Sequence, residues 1–238
     1  MKIRGTRECQ NCGTQWSYYD TGSVTCPTCE SMQSVGLEDD RVQHTDSAIT
    51  LDLTEAQEAV DERPLREVST LVADTAREYV TKRGFIKGGE LQPLDDTYLV
   101  AQELRHIADV FSRALEISDD EELYFLSLLR GAEAGERPAT MDVPDSLHEV
   151  RTLADSESLR EYHDEMGEWV REHDVSREGR NTLETLGEHI RRARALEGGL
   201  DIDTADALVS SARDLARYFR EGDEDALVST RDTLGRIE

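Results

Sequence analysis

The sequence predicts a mainly α protein: a small N-terminal β zinc ribbon followed by an antiparallel helical bundle. Three observations carry this. All four cysteines fall between residues 9 and 29, as two C-x2-C pairs. From residue 54 onward, apolar residues recur at helical spacing, with capping signals between segments. The connections between those segments are short and polar, which favours antiparallel neighbours. The chain thus divides into a ribbon over 1–36, a linker over 37–53 and an acidic helical domain over 54–238, with a subdivision near 136–146.

The ribbon rests on the stretch CQNCGTQWSYYDTGSVTCPTCES, residues 9–31. Two residues between cysteines let a tight turn aim both sulfurs at one point. Two such turns complete a tetrahedron with Zn–S distances of about 2.3 Å. Gly13 fits the first turn because glycine accepts positive φ, and Pro27 fixes one φ of the second. Cys9, Cys12, Cys26 and Cys29 are therefore the expected metal ligands. Four thiolates close the shell, so the zinc is expected to be structural. A rubredoxin-like iron site would use the same four sulfurs. A thioredoxin-type pair would need a βαβ pattern nearby, and none is present. Between the pairs, Gln15 to Tyr19 reads as a strand, Asp20-Thr21-Gly22 as a turn, and Ser23 to Thr25 as the returning strand.

Residues 37–53 read as a polar linker with a short alternation at Ile49, Leu51 and Leu53. Thr54 and Gln57 suggest a capping box. Pro64 restarts the helix, and Leu65, Val68, Val72, Ala76, Tyr79 and Val80 then share a face up to Gly84. GFIKGGELQPLDD, residues 84–96, reads as a shaped loop and lacks the P-loop pattern. The next helix spans about Thr97 to Glu116, with Val100, Leu104, Ile107, Phe111 and Leu115 inward. Ser118 and Glu121 form a second capping box before ELYFLSLLRG. ERPATMDVPDS breaks the pattern at 136–146. Ser156 is the expected cap of a helix carrying Leu159, Tyr162, Met166, Trp169 and Val170. Ser176, Asp203 and Asp223 are expected to cap three more, giving seven or eight helices in all.

The formal net charge is -25, from 52 acidic and 27 basic residues. Only Lys2, Lys82 and Lys87 are lysines, and acids and arginines are interspersed rather than blocked. This is the surface expected of a protein dissolved in multimolar salt, where the Debye length falls to about 3 Å at 1 M. It implies a halophilic cytoplasm. No apolar leader opens the chain, and no apolar run approaches a membrane span. In a cytoplasm the thiols stay reduced, which argues against disulfides. Residues 1–36 stand apart: Lys2, Arg4 and Arg7 balance Glu8, Asp20 and Glu30, so the whole deficit lies beyond them. The same segment holds Trp16, Tyr18 and Tyr19. Together with Lys2, Arg4 and Arg7 these are the candidate partner contacts, since aromatics stack on bases and anchor interfaces. They also serve as cover for a minimal core beside the metal. Strand alternation puts Trp16 and Tyr18 on one face and Tyr19 on the other.

RECQNCGTQWSYYDTGSVTCPTCES resembles the zinc ribbon at the start of transcription factor IIB, through its C-x2-C-G first knuckle and C-P-x-C second knuckle. Glu30 departs from the glycine that often follows the second pair. The whole chain also looks like uncharacterised haloarchaeal proteins that carry such a ribbon before a helical region. The resemblance implies a protein or nucleic-acid partner within the transcription or translation machinery.

Known catalytic patterns do not appear. The chain has no G-x-S-x-G, H-E-x-x-H or dinucleotide fingerprint. Glu103-x-x-His106 has di-iron spacing, but the second Glu-x-x-His and the two further glutamates are missing. His189, beside Glu188, is expected to face solvent. The expected function is therefore that of a non-enzymatic zinc-binding protein docking through its ribbon. The alternatives are an iron-bearing electron-transfer protein and a structural, self-associating helical protein. The oligomeric state is left open.

Overall fold

The computed structural model describes residues 1–237. Its first part is β, with strands Lys2–Ile3 (β1), Thr6–Cys9 (β2), Gln15–Ser17 (β3), Ser34–Gly36 (β4) and Val42–Gln43 (β5), and one helical turn, Tyr18–Thr21 (α1). β2 is the centre of a three-stranded antiparallel sheet, in the order β3-β2-β4. Glu8 sits opposite Gln15 on one side and Val35 on the other. The return strand expected at Ser23 to Thr25 does not form. There the Trp16 indole donates to the Ser23 carbonyl at 2.9 Å and Ser34 Oγ to the Val24 carbonyl at 2.7 Å. Side chains thus take up carbonyls a ladder would need, and the third strand comes after the second knuckle. The strand with Trp16 also stops at Ser17, so the expected alternation through Tyr18 and Tyr19 is replaced by α1.

The remainder is mainly α. The helices are Thr54–Ala59 (α2), Leu65–Lys82 (α3), Asp96–Arg113 (α4), Asp119–Gly131 (α5), His148–Glu172 (α6), Arg177–Ala195 (α7), Ile202–Glu221 (α8) and Glu224–Leu234 (α9). The stretch 84–96 is not an open loop. Ile86–Lys87 (β6) and Glu90–Leu91 (β7) form a hairpin turned by Gly88 and Gly89 at φ 61 and 86, as a two-residue turn of that hand requires. α4 is the centre of the bundle, with α3 on one side and α6 on the other. α6 in turn meets α7 and α8, and α9 closes against α8. One apolar core runs from Leu51 to Leu234, with members on both sides of the 136–146 break. Among the described residues, no helix is long and apolar enough to cross a membrane.

Several helix ends obey local chemistry. Asp95, Ser176 and Asp223 accept amide bonds as N-caps, and Ser118 and Glu121 make the reciprocal box. Others do not. Thr54 is inside α2; Asp52 accepts its amide, and Gln57 reaches across to the Leu129 carbonyl at 3.0 Å. Ser156 lies in the middle of α6, where its hydroxyl bonds the Thr152 carbonyl at 2.8 Å. Asp201, not Asp203, caps α8. Leu115 lies past the end of α4 and is 97% exposed. His189 is buried, with Arg192 Nη2 3.1 Å from its Nδ1.

Residues 37–53 pack along the molecule rather than spanning a gap. β5 pairs with β1, setting Lys2 opposite Gln43 and Ile3 opposite Val42. The Gln43 side-chain amide and the Thr45 hydroxyl donate to Glu168 and Glu165 of α6. Leu51 and Leu53 enter the core. His44 is buried beneath Tyr18 and Tyr19, with ring centroids 5.8 and 4.9 Å away.

Candidate metal centre

Both C-x2-C pairs adopt the same turn. In the first, the Cys9 amide bonds the Thr14 carbonyl and the Gly13 amide bonds the Cys9 carbonyl, each at 2.9 Å. In the second, Cys26 bonds Ser31 at 2.9 Å and Glu30 bonds Cys26 at 3.0 Å. Gly13 and Glu30 occupy the equivalent left-handed position, at φ 73 and 57. The second knuckle thus holds a glutamate where the backbone favours glycine.

These twin turns bring the four sulfurs together. Cys9 Sγ lies 3.6 Å from Cys29 Sγ, and Cys12 Sγ 3.6 Å from Cys26 Sγ. All four lie within 4.8 Å of one another. A tetrahedral tetrathiolate with bonds of about 2.3 Å has edges of about 3.8 Å, so the donor set fits such an ion. The Asn11 backbone amide points at Cys9 Sγ at 3.4 Å and its side-chain amide at Cys29 Sγ at 3.7 Å. Both are donors that offset thiolate charge. Hydrogen bonds from Thr14, through its side chain and its backbone, hold the Cys12 thiol down at about 6. Cys9 and Cys26 are buried with Trp16 in a small core of their own. A closed four-sulfur shell in this setting staples two turns and leaves no vacant position for a reacting molecule.

The other candidate residues separate into two groups. The aromatics look inward. Trp16 is buried beside the sulfurs, and Tyr18 and Tyr19 are half-buried over His44. The cations converge. Lys2, Arg4 and Arg7 line one groove of about 350 Å³, and Arg41 completes it. Arg7 is braced by Ser34, with Nε 3.0 Å from Oγ and Nη2 3.1 Å from the carbonyl. Arg4 Nη2 donates to the Asp39 carbonyl at 3.2 Å, and Lys2 Nζ pairs with Glu172 at 2.7 Å. No acidic side chain lines the groove itself. Arg41 carried no sequence signal, since it follows Asp39 and Asp40 in a polar stretch. The β1–β5 pairing and the bonds of Arg4 and Thr6 to Asp39 and Glu38 bring that stretch beside the ribbon.

Glu103 and His106 do not form a metal pair. Glu103 is buried and bonds Tyr124 and Arg137, whereas His106 Nε2 lies 3.1 Å from Glu157. Among the described residues, the cysteine cluster is the one group suited to hold a metal ion.

In comparison with known proteins, residues 1–234 match the model of a family of unknown function, DUF7117. No curated protein and no solved structure gives a match.

Proposed function

The chain belongs to that family over nearly its whole length, and on that premise we propose that it is a non-enzymatic zinc protein whose ribbon docks on nucleic acid. The observation that carries this is the groove of Lys2, Arg4, Arg7 and Arg41 on a protein of net charge -25. A cationic groove on so acidic a chain suits a polyanion. Zinc would be held by Cys9, Cys12, Cys26 and Cys29, where it would supply a rigid base for the strands that carry the groove. The resemblance of the knuckles to transcription-factor ribbons points the same way.

The scattered acids and scarce lysines support a halophilic cytoplasm as the setting, where four reduced thiols persist. In molar salt, counterion release contributes little. Three of the four groove cations are arginines, whose planar forks bind phosphate through two directed hydrogen bonds rather than by charge alone.

The test is fluorescence anisotropy of labelled single- and double-stranded RNA and DNA with the metal-loaded full chain, from low salt to molar KCl. The expected result is saturable binding weakened about a hundredfold in Arg4→Gln/Arg41→Gln, from two lost charge-assisted hydrogen bonds. Equal binding by the variant, or none at any salt, would overturn the reading. Nuclease-insensitive capture of a protein at native salt would redirect the groove to an acidic protein partner.

A second reading is favoured by the amide donors at the sulfurs, which also tune iron–thiolate sites. It makes the protein an electron carrier with iron in place of zinc. A red rather than colourless purified protein would establish it.

A further inference from the structure

The helical body holds a second gathering of cations, unconnected with the ribbon. Arg137, Arg151 and Arg213 line one cavity of about 240 Å³, bounded by the start of α4, the 137–140 stretch, α6 and α8. Arg137 and Arg151 are charged side chains only 6% and 3% exposed. Buried guanidiniums are found where something holds them in place.

Each of the three is anchored from one side. Arg137 donates to Glu103 through Nε at 3.0 Å and to Asp155 through Nη2 at 2.6 Å. Arg151 Nη1 donates to the Tyr124 hydroxyl at 3.0 Å and the Pro138 carbonyl at 2.9 Å. Arg213 donates through Nε to the Leu94 carbonyl at 2.8 Å and through Nη2 to Asp96 at 2.7 Å. These bonds leave one terminal nitrogen on each: Nη1 of Arg137, Nη2 of Arg151 and Nη1 of Arg213. None has a hydrogen-bond partner among the described residues. Arg151 Nε is also buried and unpartnered.

Two features make this more than an internal ion cluster. Burying Glu103, Asp155, Arg137 and Arg151 together costs more than an apolar core of the same volume would. The arrangement also spends acceptors on one side of each guanidinium and leaves donors from three chain segments at one small cavity. A tetrahedral oxyanion offers four acceptors, matching what the cavity lacks. We propose that the cavity binds a phosphate group, free or as the head of a small phosphomonoester. The remainder of an ester would leave past Asp206, an exposed carboxylate on the cavity wall.

The decisive experiment is isothermal titration of the full chain with inorganic phosphate at constant ionic strength, with chloride as the matched anion. The expected result is saturable binding of one phosphate per chain. Arg213→Gln should weaken it about tenfold. Asp206→Asn, which removes an exposed carboxylate without touching the core, should tighten it about threefold. Arg63→Gln, at an exposed arginine that does not line the cavity, should leave it unchanged. Absence of saturable heat from the wild type, no tightening by Asp206→Asn, or loss of binding in Arg63→Gln would each overturn the proposal. Titration with glycerol phosphate separates the two sources: tighter binding than inorganic phosphate identifies a phosphomonoester head, and weaker binding identifies free phosphate.

Discussion

Tyr19 of the ribbon lies across Gly88 of the β6–β7 hairpin: a β-carbon on Gly88 would stand 2.9 Å from Tyr19 Cε2, and one on Gly5 would fall closer still. The tyrosine is a peg held between two glycines, one from each part of the molecule. Asp20, its neighbour, pairs with Lys87 at 2.8 Å beside the same hairpin.

Gly88→Ala should therefore loosen the seating of the ribbon. The residue sits at φ 61 and has no room for a methyl group, so about 2 kcal/mol should be lost. Tyr19→Ala should cost a similar amount and open residues 37–53 to protease. Urea midpoints and a timed proteolysis series measure both. Wild-type midpoints in the two variants would show that the peg bears nothing.

Native mass spectrometry should find one metal ion per chain, absent from Cys26→Ser. Cys26 is buried, and its sulfur lies 3.6 Å from Cys12 Sγ, so serine there breaks the donor set rather than trimming its edge. Chelation of the wild type should reproduce the variant's protease sensitivity within residues 1–36. Retention of metal by Cys26→Ser would mean that the four sulfurs do not act together.

The two knuckles offer a matched pair of substitutions. Glu30→Gly should stabilise the ribbon by about 1 kcal/mol, because glycine meets no penalty at φ 57. Gly13→Ala should destabilise it by about the same amount through backbone strain alone, since nothing lies within 4 Å of the added carbon. Competition with a chromogenic chelator reads both as opposite shifts in metal retention. Shifts of the same sign would refute the equivalence of the turns.

Glu157 makes acid stability measurable. Hydrogen bonds from His106 and Arg105 hold its carboxyl down at about 2, against an ordinary value of 4.5. Its folded-state value is the lower one, so its contribution is present above pH 4.5 and is lost as pH falls through 2. Glu157→Gln should cost about 1 kcal/mol at neutral pH, allowing for the screening its partial exposure permits. The deficit should close between those two pH values. Parallel wild-type and variant curves over the whole range would exclude the pairing.

Much of the molecule was legible because its specification is local. The cysteine spacing announces the twin turns, and Ser118 with Glu121 announces the start of α5. The missed features depend on distant partners. Ser34–Gly36 is too short to show a strand pattern and becomes one by lying beside β2. Ser156 looks like a helix start, yet its hydroxyl bonds the Thr152 carbonyl and α6 runs straight through. His189 looks like a surface residue beside Glu188 but turns inward under Arg192. The polar composition of 37–53 suggests slack, whereas Thr45 and Gln43 are held by carboxylates on α6. Arg41 enters the candidate groove because β5 pairs with β1, some forty residues earlier.

That attachment of residues 43 and 45 to α6 also imposes an order in time. Gln43 and Thr45 meet partners 125 and 120 positions later in the chain, while the four sulfurs fall within one short segment. During synthesis the knuckles can close on a metal ion as soon as Cys29 emerges. The side-chain bonds of Gln43 and Thr45 to α6 come many seconds later at ordinary translation rates. Over that interval the ribbon is a finished module on an unfinished chain, with Lys2 still lacking its partner Glu172.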